Sequence, residues 1–321
     1  MDIFANIQSD QLKPTTDRNL AASIFKRAIR SIEIEVFSYC NRRCWFCPNS
    51  YIDRMSKNNV MPTALYSTIL DQLASIHYDK IISYSRYNEP LSSKIILDRI
   101  REAREKLPNA LLHTNTNGDY LDSDYIAHLY DAGLRSLNIQ AYLANNETYS
   151  HIKISKRINQ MIHKLGLVAT LVRDIPGEWL EYSLRFEDMN IRLYGRNFEI
   201  NGTNRGGTIN IRTNEERISP CLVPYSFIYI DFNGKIVPCC NIRSDVPEHA
   251  SYITADISVV SDIFLAYTNR HATNFRKYLL TEEVKGGACA GCTFSTFVMT
   301  PERRSIINLL IKSCTEDPSS A

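Results

Sequence analysis

Six short apolar runs, separated by longer stretches with helical spacing, constrain the fold of this chain more than any other feature. The runs cover residues 32–36, 80–85, 110–114, 136–140, 168–172 and 191–194, each of strand length. Between them lie helix-period segments at 63–76 after Pro62, at 94–107, at 124–132 with Asp122 or Ser123 as cap and Gly133 as stop, and at 147–165 ending at Gly166. A weaker helical pattern covers 179–188, and residues 17–30 read as an amphipathic helix ahead of the first run. Strands that alternate with helices form a parallel sheet, so the expected fold is α/β, an open six-unit relative of the (β/α)₈ barrel. Such folds carry their chemistry at the C-terminal ends of the strands.

Cys40, Cys44 and Cys47 stand at that place, as C-N-R-R-C-W-F-C beyond the first run. Three thiolates can hold three irons of a [4Fe–4S] cluster and leave the fourth iron open to a small-molecule ligand. A zinc site or unrelated buried thiols are the alternatives. The chain has nine cysteines, eight of them in close groups or at cluster-like intervals, with Cys314 left over. In a reducing cytosol that usage argues for metal or cluster ligation over disulfides. A net charge of +2 over 321 residues gives no sign of a nucleic-acid-binding surface. The start of the chain lacks a signal-peptide pattern and no apolar run approaches a membrane span, so a cytoplasmic protein without membrane contact is expected.

From about Gly195 the pattern changes. Gly202, Gly206 and Gly207 lie in a polar loop, and residues 227–231 and 235–237 flank Phe232-Asn233-Gly234 as a hairpin. Helical stretches at 259–267 and 274–280 follow, then Cys289-Ala290-Gly291-Cys292 and an amphipathic helix at 303–312. Cys221, Cys239, Cys289 and Cys292 make the pattern C-x17-C, a gap of 49 residues, then C-x2-C. Four such thiolates complete a cluster or bind Zn²⁺, and spacing does not separate the two. The expected division is a helical segment at 1–31, the partial barrel at 32–200, a small α+β module at 201–302, and a helix and tail at 303–321.

The triad, its place after a first strand and Phe46 before its last cysteine resemble the radical S-adenosylmethionine (SAM) superfamily. Further landmarks follow in the family's order. Tyr87-Asn88-Glu89-Pro90, after the second run, resembles the G-G-E-P element that holds the SAM ammonium, with Tyr and Asn in place of both glycines. Thr116-Asn117-Gly118-Asp119, after the third run, resembles the T-N-G segment beside the ribose and methionine of SAM. Either element on its own also reads as a plain turn. Cys221-x12-Gly234-x4-Cys239 resembles the opening of the SPASM and shorter twitch extensions of this superfamily. The C-x2-C-x5-C-x3-C run of a full SPASM module is absent after Cys292, which points to the twitch type.

The resemblance implies two [4Fe–4S] clusters, one open to SAM at Cys40, Cys44 and Cys47 and one auxiliary at Cys221, Cys239, Cys289 and Cys292. It implies SAM contacts from Phe46, Asn88, Glu89, Pro90, Thr116 and Asn117, with Gln140 and Arg192 as further candidates. One electron, from a donor such as flavodoxin or ferredoxin, cleaves SAM in such enzymes to a 5′-deoxyadenosyl radical that abstracts hydrogen. Arg205, between glycines and the last strand, is a candidate to bind substrate hydroxyls or an oxyanion, and a solvated surface arginine otherwise. Cys240 or Cys314 is a candidate hydrogen donor, and a buried small residue otherwise. His113 is the histidine nearest a strand end. The function expected is hydrogen abstraction from a small sugar, aminocyclitol or amino-acid-like substrate, ending in dehydrogenation or epimerisation. A peptide-modifying maturase and a zinc-stabilised, non-enzymatic binding module are the alternatives.

Overall fold

The computed structural model describes residues 7–211 and 216–315, with the side chains of Cys314 and Thr315 outside the described set. Ten strands form one mixed sheet: β1 Ser31–Ile34, β2 Ile81–Ser83, β3 Leu111–Thr116, β4 Ser136–Gln140, β5 Ala169–Ile175, β6 Trp179–Phe186, β7 Met189–Arg196, β8 Phe227–Ile230, β9 Lys235–Val237 and β10 Ala255–Asp256. Their order is β10-β9-β8-β1-β2-β3-β4-β7-β6-β5. The six central strands, β8 to β7, run parallel, and antiparallel strands extend the sheet at both edges. The two ends do not pair with each other, so the barrel is partial, as the alternating pattern requires.

Five long helices accompany the first strands, one ahead of β1 and four between β1 and β5. They are α1 Arg18–Ala28, α2 Thr63–Ser75, α3 Ile95–Lys106, α4 Ser123–Asp131 and α5 His151–Leu165. Local signals set their ends: Asp17 accepts from the N–H groups of Asn19 and Leu20, and Asp122 from that of Tyr125. Gly166 stops α5 at φ 64°, where a side chain would be strained. Ser150 caps α5, which therefore starts four residues later than the helical spacing from Glu147 predicts. Helices at Ile263–Thr268, Arg270–Leu280 and Pro301–Thr315 follow the sheet.

Two elements differ from the expected pattern. Residues 179–188 are not helical: β6 pairs antiparallel with both β5 and β7. Leu180 and Leu184 are the buried positions, and a spacing of four fits a strand's period as well as a helix's. Turns at Gly177, with φ 79°, and at Glu187, with φ 51°, fold this stretch into a meander. In consequence β5 is an edge strand outside the parallel core. The sixth parallel strand is β8, the first arm of the expected hairpin, paired with β1 from Ser31↔Phe227 to Ile34↔Ile230.

Alternation of side chains gives the parallel sheet two faces of opposite character. Ile32, Ile34, Ile82, Leu112, Leu137, Ile139, Ile191, Leu193, Ile228 and Ile230 join one apolar core with residues of α1 to α5. The inner face is polar. On it, Asn115 donates to Ser85 Oγ at 2.5 Å, Asn138 donates to Asn115 Oδ1 at 2.8 Å, and His113 Nδ1 meets Ser136 Oγ at 2.9 Å. A wall of partly satisfied polar groups is costly unless it faces a ligand or water, and this one leads to the site.

Candidate active site

A cavity of about 260 Å³ opens at the C-terminal ends of the parallel strands. Cys40, Cys44 and Cys47 line it from the loop after β1, with Phe46 beside them. The eight described cysteines are all free thiols. Backbone bonds fix the loop: the Cys40 N–H donates to the Arg54 carbonyl at 3.1 Å and the Trp45 N–H to that of Asn145 at 2.9 Å. Arg42 adds a fork, donating from Nε and Nη2 to the two oxygens of Asp119 at 2.7 Å each. Asp119 also accepts from Asn41 at 2.9 Å and Arg157 at 2.6 Å, and the Arg42 contact holds its carboxyl below the usual range against the effect of burial. The triad loop is thus anchored to the loop after β3. No isolated sequence signal marked Arg42 or Asp119, because only the parallel pairing of strands brings them together.

Glu89 is buried in the cavity wall and ties two of the motifs to each other. Its Oε1 accepts from the Leu91 N–H at 3.1 Å and Thr116 Oγ1 at 2.5 Å, and its Oε2 accepts from the Asn117 N–H at 2.8 Å. Burial nevertheless pushes its carboxyl up to about 7, a value that a nearby cation would lower. Asn117 Nδ2 donates onward to Asn41 Oδ1 at 2.8 Å, which links T-N-G to the triad loop. Asn88, Thr116, Asn117 and Gln140 line the same cavity, while Pro90 opens the short turn behind Glu89. Gln140 Oε1 accepts from Tyr142 and Tyr194 at 3.0 Å each, and its Nε2 has no partner among the described residues. Asn88 Nδ2 is likewise unpartnered. Buried donors left open in a wall of otherwise satisfied groups fit a polar ligand.

Two expected contacts stand elsewhere. Arg192 donates from Nε and Nη2 to Glu181 at 2.8 Å each and lies over the Tyr194 ring, 4.2 Å from its centroid, so it does not line the cavity. Arg196, four residues further along β7, does. His113 stays in the polar ladder below, with burial lowering its pKa. Phe46 is stacked on Phe198, centroids 3.5 Å apart, and tilted against Tyr142.

The second half of the chain enters the same cavity through Arg205 and Cys240. Arg205 sits at φ 49° before Gly206 at 67° and Gly207 at 84°, a left-handed run that turns its side chain inward. Asn204 donates to the Ala290 carbonyl at 2.9 Å, so the Arg205 loop is joined to the C-x2-C loop. Cys240 faces the cavity, and its carbonyl accepts from Tyr87 Oη at 2.8 Å. Cys239, Cys240 and Cys289 pack against Cys221 in an apolar cluster, and of these four only Cys240 also lines the cavity. Burial, then the neighbouring Cys240, Cys289, Cys221 and Cys292 thiols, push Cys239 well above its ordinary value. Such crowding of buried thiols is relieved when a metal centre takes them as thiolates. Among the described residues no three His, Cys, Asp or Glu side chains converge on a single-ion site. The fit to clusters rests on donor chemistry: sets of three and four free thiols, the first beside unpartnered polar donors. Cys314, the other thiol considered as a hydrogen donor, has its side chain outside the described residues.

Residues 34–167 match the family model of the radical SAM superfamily. The S-adenosyl-L-methionine-dependent 2-deoxy-scyllo-inosamine dehydrogenase of Niallia circulans is 27% identical over 274 residues, which span 85% of this chain and 95% of that protein. GTP 3′,8-cyclase of Rhizobium etli is 30% identical over 129 residues, 39% of this chain and 36% of the cyclase. Among solved structures, BtrN in complex with AdoMet and 2-DOIA superposes with a TM-score of 0.61 at 25% identity, covering 83% of this chain and 94% of that one. An open conformation of BtrN, at 22% identity and a TM-score of 0.52, shares the fold. The cyclase match covers well under half of each chain, whereas the dehydrogenase match covers most of both. Residues 34–167 of this chain are a radical SAM domain.

Proposed function

We propose that the chain is a radical SAM dehydrogenase that oxidises a hydroxyl-bearing carbon of a small aminocyclitol-like substrate. The observation that carries this reading is the shared cavity, lined at once by Cys40, Cys44 and Cys47, by the SAM-motif residues Glu89, Thr116 and Asn117, and by Arg205 and Cys240 from the second half. Similarity along 95% of a dehydrogenase supports the same choice. SAM held at the triad supplies, on reduction, a 5′-deoxyadenosyl radical that takes hydrogen from carbon. Glu89 orders the two loops that face SAM, and the open amides of Asn88 and Gln140 are placed to hydrogen-bond its polar groups. Arg205 binds the substrate oxygen that becomes a carbonyl and favours its deprotonated form. Cys221, Cys239, Cys289 and Cys292 would hold an auxiliary [4Fe–4S] cluster within the 201–302 module, which would supply an acceptor for the electron that the substrate radical gives up, with the hydroxyl proton, on becoming a ketone. The 1–31 and 303–321 segments flank the two working parts.

An external electron donor of the flavodoxin or ferredoxin class and a cytoplasmic setting complete the reading. Among the described residues, no helix is long and apolar enough to cross a membrane. One observation favours epimerisation as a second reading: the Cys240 thiol faces the cavity. A peptide substrate has no such observation behind it. Anaerobic incubation with SAM, a reductant and an aminocyclitol tests the proposal. It predicts cyclitol-dependent 5′-deoxyadenosine and a ketone lighter than the substrate by two hydrogens. An inverted product of unchanged mass would instead support the second reading.

A further inference from the structure

Successive residues of β1 point to opposite faces of the sheet. Ile32 and Ile34 are buried in the core, and Glu33 between them lies on the inner face and lines the cavity. Carboxylates this far inside normally have a full set of donors. The neighbouring ones do have donors: Glu35 accepts from Arg54 Nη1 at 2.6 Å and the Tyr87 N–H at 3.0 Å. Asp231 accepts from Arg86 Nε at 2.5 Å and the Ser244 N–H at 2.7 Å. Glu33 accepts no hydrogen bond from any described residue and has only an ion pair, at 3.7 Å, with Arg86 Nη1.

Two of that guanidinium's nitrogens are committed, and Nη1, which faces Glu33, makes no hydrogen bond among the described residues. Its Nε serves Asp231 and its Nη2 donates to the Ile242 carbonyl at 2.7 Å. Arg86 is fully buried while Glu33 keeps 21% of its side chain exposed, and that exposure is into the cavity. Asp231, Arg86 and Glu33 together set two carboxylates against one guanidinium, and Arg205 is the further cation that acts on Glu33 across the cavity. Arg205, on the same cavity, has an unpartnered Nε. A ligand that satisfies both groups carries a cation and hydrogen-bond-accepting oxygens on one small frame.

We propose that Glu33 recognises the substrate's ammonium group and thereby selects an amine-bearing cyclitol over its all-hydroxyl counterpart. The inference rests on the dehydrogenase reading and names the residue that chooses the substrate. Burial pushes the Glu33 carboxyl up to about 7, the cost of holding a charge with few donors. A bound ammonium, with three donors and a positive charge, stabilises the ionised form, and a hydroxyl in its place brings one donor and no charge.

The test compares an aminocyclitol with the cyclitol in which a hydroxyl replaces the amine, on reconstituted wild-type protein and on Glu33→Gln. Wild type should prefer the amine by about tenfold or more in kcat/KM, and Glu33→Gln should lose most of that preference through a higher KM for the amine. Glu33→Asp, which keeps the charge, should retain part of it. Equal loss on both compounds in Glu33→Gln, an amine preference that survives there, or equal use of both compounds by wild type would overturn the proposal. If wild type oxidises neither compound, the dehydrogenase reading fails on its own. Calorimetric binding of the amine against the all-hydroxyl compound, in wild type and Glu33→Asp, then still decides the role of Glu33.

Discussion

Glu89 receives three donors from two loops, so its charge organises the protein as well as facing a ligand. In Glu89→Gln one of those donors meets an amide N–H instead of an oxygen, at a cost of about 1.5–3 kcal/mol for a charged hydrogen bond. SAM affinity should fall by about tenfold or more while the cysteines keep their iron. Equilibrium binding of SAM measures this, and an unchanged dissociation constant would contradict the assignment. Cys240 offers a second test at the same scale. Its side chain lines the cavity, which none of Cys221, Cys239, Cys289 and Cys292 does, so Cys240→Ala should keep the full iron content. A dehydrogenase should still make its ketone in this variant. An epimerase should lose the inverted product, and its wild type should carry solvent deuterium at the inverted carbon, since thiol protons exchange with water. Iron loss in Cys240→Ala would show that Cys240 is itself a ligand.

The loops matter as much as the strands that carry them. Asp119 joins the loop after β3 to the triad loop through Arg42 and Asn41, and to α5 through Arg157. Removing one partner of a buried, forked ion pair costs roughly 3–5 kcal/mol where burial is complete, and less for this carboxylate, which keeps 23% of its side chain exposed. Asp119→Asn should therefore leave the fold intact yet lower iron at the first site and speed its loss to chelator. Retention at the wild-type rate would show that the network does not support the loop. A parallel case is Arg217, buried and bonded to the carbonyls of Ser219, Pro220, Cys292, Phe294 and Ser295. Arg217→Met leaves those carbonyls unpaired and should cost iron at the second site alone, read as a drop of about half in total iron with SAM cleavage retained.

At the scale of the whole molecule, strand and helix alternation revealed the parallel sheet, and motif order revealed the cavity. Glu89, Thr116, Asn117 and Gln140 were legible because each stands at or beyond the C-terminal end of a strand, where the fold sends chemistry. What escaped has physical causes. The β5–β6–β7 meander hid behind Leu180 and Leu184, whose spacing suits two structures. The pairing of β8 with β1 joins residues about two hundred positions apart, and no local pattern records it. Arg192 was expected at the site because it stands on the sixth expected strand, but Glu181 on the unforeseen β6 takes its guanidinium. Glu33 was overlooked since a charged residue inside an apolar strand reads as a solvent-facing one until the inner face is known to be a cavity.

The central claim is that two separate thiol sets serve one cavity, the first open to SAM and the second closed. Iron content with electron paramagnetic resonance, on anaerobically reconstituted protein, tests it most directly. The account predicts about eight irons per chain in wild type, and about four with SAM cleavage abolished when Cys40, Cys44 and Cys47 are all replaced by Ala. Stoichiometric zinc in place of the second cluster, or SAM cleavage that persists without the three cysteines, would contradict it.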